Sequence, residues 1–182
     1  ELAALAEIAC RHNLTVLSDE VYEWMVYAPA EHVRIATLPG MWERTVTVGS
    51  GGKSFSFTGW KVGWASGPAD LIAAVRVVRQ HLSYVSGGPF QPAIAAGLRL
   101  PDAYFDGFRA DLAGKRDRLC EGLSALGMRV IAPQGTYFAT TDVRPLGFTD
   151  GDQFCHRMPH EAGVVAIPAQ ALETAGHPNE LR

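Results

Sequence analysis

The sequence predicts an α/β protein whose mainly parallel sheet carries helices on both faces. Over the first hundred residues, short segments rich in β-branched residues alternate with segments of helical periodicity, as in folds of this class. The chain has 182 residues, 47% hydrophobic and 19% charged, with a formal net charge of −3. This ordinary globular composition argues against an intrinsically disordered chain and against a strongly basic protein that binds nucleic acid.

The elements of the first part follow one another in a βα pattern. A helix covers residues 1–10 and ends near Asn13, and a second helix opens at Pro68, with Asp70 in its first turn. The predicted strands are three apolar or β-branched runs, at 14–18, 44–49 and 61–66.

The pattern changes at about residue 101, where we place a domain boundary between residues 1–100 and residues 101–182. A long helix begins at Asp102, and Gly127 stands where a glycine commonly ends a helix. The remaining segments predict a smaller unit with both helix and strand. These are a strand pair at 128–131 and 136–140, a helix at 150–157 and a strand at 164–167.

Several observations bear on location and partners. No uninterrupted apolar run reaches the ~20 residues that span a bilayer, so we expect no membrane partner. Three cysteines without a CxxC pair favour a reducing cytoplasm over a disulfide scaffold. We expect no metal site, because Pro159 is predicted to end the helix that would align His156 with His160. The chain is helical from its first residue, so we expect it to be a piece of a longer protein.

Polar residues follow the first predicted strand, in the run Ser18 to Tyr22. Open α/β sheets bind ligands at the carboxyl ends of their parallel strands, which makes Asp19 a candidate ligand-binding residue. The alternative is a strand-end aspartate that only caps the next helix.

A glycine-rich segment with two of the three lysines follows the second strand. Ser50 offers a hydroxyl to an anion, and Lys53 and Lys61 stand eight residues apart. Residues 52–54 match the end of a phosphate-binding P-loop, but Thr47 stands where that motif needs its first glycine. The other hypothesis is that Lys53 acts as an amine that forms a Schiff base with an aldehyde, while Lys61 holds an anionic group.

These motifs resemble the fold-type I, pyridoxal-phosphate-dependent aminotransferases of class I/II. The similarity is strongest to the branch that holds the kynurenine, glutamine and N-succinyldiaminopimelate aminotransferases. It rests on an ordered set of motifs at residues 19–24, 39–45, 50–64, 84–91, 135–138 and 166–168. The resemblance implies the fold-type I transferase fold. Residues 1–100 would form the C-terminal part of its large cofactor domain, and 101–182 a bridging helix and part of a smaller α+β domain.

The resemblance assigns a role to five residues. Lys53 would be the catalytic lysine that forms the Schiff base with pyridoxal 5'-phosphate. Asp19 would face the pyridine nitrogen, where a carboxylate favours the protonated ring, and Tyr22 the phenolic oxygen. Ser50 and Lys61 would bind the phosphate, although the family usually has arginine at the position of Lys61.

The implied activity is amino-group transfer between an amino acid and a 2-oxo acid, with N-succinyldiaminopimelate favoured by overall likeness. The loop from Ser83 to Gly88 resembles one that reaches into a neighbouring subunit, which implies a homodimer. The family's N-terminal half is missing, so we expect this piece alone to be inactive. The alternatives are a β-lyase or acyltransferase of the same fold, or a non-catalytic truncated domain.

Overall fold

A computed structural model describes residues 1–85 and 87–172 of the chain. It divides into two compact units. The first comprises Glu1–Leu112 together with Gln134–Thr136, and the second comprises Ala113–Pro133 and the residues from Tyr137 onward. The predicted division into parts of a large and a small domain at about residue 101 remains a prediction.

The first unit contains a three-stranded sheet in the order β1-β2-β3. Its strands are β1 at Val16–Asp19, β2 at Thr45–Ser50 and β3 at Gly63–Ser66, each close to a predicted strand. β1 and β2 are parallel, as predicted, whereas β3 runs antiparallel to β2 and makes this sheet mixed. The connection from β2 to β3 holds only one short helix and a 3-10 turn, so the chain reverses direction beside β2.

The helices predicted at 1–10, from Pro68 and from Asp102 are present, whereas the single helical turn at Gly51–Ser54 was not predicted. In chain order the helices are α1 at Leu2–Arg11, α2 at Gly51–Ser54, α3 at Ala69–Leu82, α4 at Gln91–Gly97, and α5 at Asp102–Ala125, which continues into the second unit. Gly127 ends α5 with a φ of +87°, the left-handed conformation expected of a glycine after a helix. The single turn of α2 is followed by more loop, unlike the long helix that follows a P-loop.

One core cluster joins α1 to the segment that crosses from β1 to β2. Ala6 and Ala9 of α1 pack with Ile35 and Met41 of the crossover, and all four are buried. The buried Thr45 hydroxyl donates to the Met41 carbonyl oxygen at 2.6 Å. These contacts attach α1 and the crossover to the start of β2.

A second cluster supports the lysine-bearing segment. Phe55 packs with Ile94 of α4 and Phe105 of α5, and Trp24 stacks on Phe105 with ring centroids 4.0 Å apart. Burial of aromatic rings of this size is a main source of packing energy. The residues directly after Lys53 therefore belong to a packed core and not to a mobile surface loop.

The second unit contains a two-stranded antiparallel sheet, β4 at Arg129–Ile131 and β5 at Thr140–Asp142. The prediction of β4 is confirmed, but the prediction of its partner at 136–140 is wrong. Gly135 belongs to the first unit instead, where it forms a bridge with Val26. A Cβ atom at Gly135 would lie 2.8 Å from the Met25 carbonyl oxygen, so this close backbone approach requires glycine.

The helix predicted at 150–157 is longer than expected, and the strand predicted at 164–167 is not formed. α6 spans Gly151–Glu161 and contains Pro159, which contradicts the expectation that this proline ends the helix. Pro159 lies in the last turn, where the loss of one backbone hydrogen bond is tolerated because few turns follow. Residues 164–167 form no ladder with any described segment, and their side chains are exposed.

An arginine fork holds the end of β5. The Arg144 guanidinium donates to both oxygens of Asp142, at 2.9 and 2.6 Å, and the Arg144 backbone N–H donates at 3.0 Å. Through these bonds the side chain and backbone of Arg144 lower the pKa of Asp142 from 3.8 to about 2. Because the pKa is lower in the folded chain, this pair stabilises the fold above pH 3.8 and loses its effect as the pH falls through about 2.

Arg144→Gln is therefore expected to raise the pKa of Asp142 from about 2 toward 3.8. Carboxyl NMR titration of the chain measures this directly. Arg157→Gln, which removes the partner of Glu161 on α6, serves as the control and should leave Asp142 unchanged. A titration midpoint still near 2 in the Arg144 variant would contradict the assignment.

No described helix combines the length and the apolar character that crossing a membrane requires. Within residues 1–85 and 87–172 there is also no group of three or more His, Cys, Asp or Glu side chains placed to hold a metal ion.

Candidate active site

Asp19 and Ser50 stand at the same edge of the sheet and on the same face. Asp19 is the last residue of β1 and lies beside Val48 in the parallel register. Side chains alternate along a strand, so Ser50 shares a face with Val48 and hence with Asp19. The Asp19 side chain is exposed, and its Oδ1 accepts a hydrogen bond from the Val21 N–H at 3.3 Å. The carboxylate is thus oriented by the backbone and open to a ligand.

The Lys53 amine lies beside Tyr22. The Nζ atom is 5.5 Å from the centroid of the Tyr22 ring, within the range of a cation–π contact. Tyr22 belongs to the turn after β1, and Lys53 to the single turn of α2 after β2. The segments that follow β1 and β2 therefore bring a phenol and an amine together, as expected at the carboxyl ends of adjacent parallel strands.

Glycine and serine residues shape the segment around Lys53. Gly51 and Gly52 are buried, and a Cβ atom at Gly51 would lie 2.5 Å from Ile94 Cδ1. A Cβ atom at Gly52 would lie 2.8 Å from Thr58 Cα, which is backbone and cannot move alone. The buried Ser54 hydroxyl donates to the Ser50 carbonyl oxygen at 3.0 Å. The close fit of α2 against its neighbours therefore requires glycine at positions 51 and 52.

Gly52→Ala is expected to destabilise the chain by about 1–3 kcal/mol, because the new methyl group overpacks against the backbone at Thr58. Denaturant unfolding of the variant and parent measures the difference. Gly59→Ala is the matched control, since no described atom comes within 4 Å of a Cβ at that position. Equal unfolding midpoints for both alanine variants would show that the close approach at Gly52 carries no cost.

Lys61 lies at the turn that leads into β3. Its backbone adopts the left-handed conformation, with φ +54°, and its side chain is exposed. The turn is tied to the lysine segment because the Gly51 N–H donates to the Val62 carbonyl oxygen at 3.0 Å. The lysine is therefore attached to the carboxyl edge of β2, with its charge accessible to an anion.

A group of polar and ionisable residues beside Asp19 was not predicted from the sequence. The Glu20 side chain is only 6% exposed, and its Oε2 lies 2.9 Å from His32 Nε2. Arg34 pairs with Glu23 at 2.5 Å and lies 4.0 Å from Glu20. The only signal in the sequence is that His32 and Arg34 are two residues apart, a spacing that places both on one side of an extended segment.

Comparison with known proteins gives a consistent result. The family described as aminotransferase class I and II matches residues 1–182. A Mycobacterium tuberculosis protein named probable N-succinyldiaminopimelate aminotransferase is 52% identical over 172 residues, covering 94% of this chain and 43% of the relative. Mouse kynurenine–oxoglutarate transaminase 3 is 41% identical over 188 residues, with 94% and 41% covered.

The solved structures agree. The structure of N-succinyldiaminopimelate aminotransferase from Mycobacterium tuberculosis superposes with a TM-score of 0.94 at 50% identity, covering 98% of this chain and 47% of that one. The predicted fold-type I transferase fold is therefore confirmed. The chain spans less than half the length of each of these relatives. It belongs to the class I and II aminotransferases, a family of pyridoxal-phosphate-dependent enzymes.

Proposed function

We propose that the whole protein, of which this chain is a part, is an aminotransferase that exchanges an amino group between an amino acid and a 2-oxo acid. The observation that carries the proposal is the placement of the Lys53 amine beside Tyr22, at the edge where Asp19 and Ser50 share a face. An amine, a phenol, a carboxylate and a hydroxyl at one edge suit pyridoxal phosphate, which offers an aldehyde, a phenolic oxygen, a ring nitrogen and a phosphate.

Each residue has a distinct task in this proposal. Lys53 binds the aldehyde covalently and, once the substrate amine has replaced it, moves the proton at the substrate Cα. Asp19 faces the ring nitrogen, Tyr22 donates to the phenolic oxygen, and Ser50 and Lys61 bind the phosphate. The cofactor supplies an electron sink for the substrate carbanion.

Borohydride reduction of the whole protein loaded with pyridoxal phosphate tests this assignment, because it makes the lysine–cofactor bond permanent. Peptide mapping should find the label on Lys53. A label on Lys61, Lys115 or a lysine outside this chain would refute the assignment. Ammonia and pyruvate release from a β-substituted alanine, without amino-group exchange, would favour a β-lyase instead.

For the substrate we propose N-succinyldiaminopimelate. The support is the 52% identity with the Mycobacterium tuberculosis relative that carries this name, against 41% for the mouse kynurenine transaminase. We expect a larger kcat/KM of the whole enzyme for N-succinyldiaminopimelate than for kynurenine, measured with the same 2-oxo acid. The reverse order would overturn the choice of substrate and leave amino-group transfer intact.

We also propose that the whole protein is a homodimer. The support is the apolar surface of α3, where Val77, Val78 and Leu82 are 62%, 56% and 82% exposed. The loop predicted to reach a neighbouring subunit includes residue 86, which lies outside the described residues. Light scattering of the purified enzyme should give twice the mass of one chain.

We infer a cytoplasmic location from the cysteines. Cys10, Cys120 and Cys155 are all free thiols in the structure, as expected in a reducing compartment. Cell fractionation with an antibody against the chain tests this inference.

A further inference from the structure

Glu20 is a buried carboxylate directly next to Asp19. Its side chain is 6% exposed, whereas Asp19 is exposed. A buried carboxylate is costly unless hydrogen-bonded groups compensate its charge. The contacts made by Glu20 therefore show which groups compensate its buried charge.

The compensating groups come from β1 and from the crossover that follows it. The Ser18 hydroxyl donates to Oε1 at 3.0 Å, and His32 Nε2 lies 2.9 Å from Oε2. Arg34 Nε stands 4.0 Å from Oε2, while its Nη2 pairs with Glu23. Each oxygen of the Glu20 carboxylate thus has its own partner, and His32 joins it to a segment twelve residues away.

The backbone of Glu20 is held as firmly as its side chain. Its N–H donates to the Val48 carbonyl oxygen at 2.9 Å, and its carbonyl oxygen accepts from the Glu23 N–H at 3.0 Å. The first bond extends the pairing of β1 with β2, and the second closes the turn that contains Tyr22. Since side chains alternate, holding Glu20 toward the crossover directs Asp19 to the opposite face of the strand.

We propose that Glu20 and His32 are positioning residues that orient Asp19 and Tyr22 toward the cofactor. The inference rests on the proposed function, because it assumes that these two side chains contact pyridoxal phosphate. Neither Glu20 nor His32 touches the cofactor in this proposal; both act through the β1 end and its turn.

His32 gives the sharper test, because its side chain is 26% exposed and its replacement disturbs the core less than a change at Glu20. In the whole enzyme, His32→Ala removes the partner of Glu20 Oε2. His32→Gln keeps an N–H donor near the position of Nε2. Glu31→Gln, an exposed acidic neighbour on the same segment, is the matched control.

The readouts are the dissociation constant for pyridoxal phosphate and the absorbance spectrum of the bound cofactor. Both are measured at one fixed pH and at a temperature well below the melting temperature. We expect His32→Ala to weaken cofactor binding about ten-fold and to shift the absorbance band, as removal of a partner from a charged hydrogen bond predicts. His32→Gln and Glu31→Gln should resemble the parent. The double variant Glu20→Gln/His32→Ala should lose no more than His32→Ala alone, because the two residues act as one pair.

Parent-like affinity and spectrum in His32→Ala would overturn the positioning role, and so would a lowered melting temperature as the only change. Additive losses in the double variant would also overturn it. None of these outcomes affects the proposed function, which fails only if borohydride labels a residue other than Lys53 in the parent enzyme.

Discussion

Replacement of Lys53 by alanine is expected to lower kcat of the whole enzyme by at least about 1000-fold, the upper part of the range for general acid–base catalysis. The structure supports this size of effect, because Lys53 lies on the turn after β2 and its amine stands beside Tyr22. No other lysine of the described chain lies on α2, so another amine cannot take its place without rearrangement of that turn. Steady-state amino-group transfer to a saturating 2-oxo acid measures the loss of kcat.

A second measurement separates chemistry from folding. Lys53→Ala should bind pyridoxal phosphate more weakly and show no absorbance band near ~420 nm, because the covalent bond to the lysine cannot form. Its melting temperature without cofactor should stay near that of the parent, since the lysine is only half-buried. Lys115→Ala, on α5, is the matched control and should keep both the band and the activity. Activity within ten-fold of the parent in Lys53→Ala would refute the catalytic role.

The strands of the first unit were predictable because their signal is local. Runs of β-branched residues at 14–18 and 44–49 identify β1 and β2 whatever surrounds them. The direction of β3 is not a local property. It follows from the short connection after Ser50, which returns along β2 instead of crossing the face of the sheet.

The wrong prediction of a strand at 136–140 also results from a contact that is not local in the sequence. Residues 136–140 have strand-like composition, but the backbone of Thr136 donates to the Met25 carbonyl oxygen at 2.7 Å and so is engaged elsewhere. The pairing partner of β4 therefore begins at Thr140. A sequence pattern reports what a segment is able to form, and long-range contacts decide which of the possibilities it does form.

In the candidate site, too, some features were predictable from local sequence and others depend on long-range contacts. Asp19 ends β1, Lys53 follows β2, and both stand in recognisable motifs, so their placement at the carboxyl ends of two adjacent parallel strands was predictable from the order of the elements. The pairing of Glu20 with His32 was not predictable, because it depends on how the segment that separates them by twelve positions folds back. Nothing in the identity of His32 distinguishes it from a surface histidine.

Asp19→Asn is expected to lower kcat of the whole enzyme by about 100- to 1000-fold, the usual cost of removing one preorganised electrostatic group. Asparagine keeps an oxygen that can accept the hydrogen bond from the Val21 N–H, so the turn after β1 should hold its shape. What is lost is the negative charge that faces the ring nitrogen in the proposal. Steady-state kinetics should show the change in kcat, with a smaller change in KM.

Asp70→Asn provides the control, because Asp70 is an exposed aspartate in the first turn of α3 and lies outside the proposed site. It should leave kcat within two-fold of the parent. If Asp19→Asn behaved in the same way, a charge at the end of β1 would have no part in the reaction. The face shared by Asp19 and Ser50 would then be a consequence of strand register alone. A loss confined to Asp19→Asn, with unfolding unchanged, would instead tie catalysis to that carboxylate.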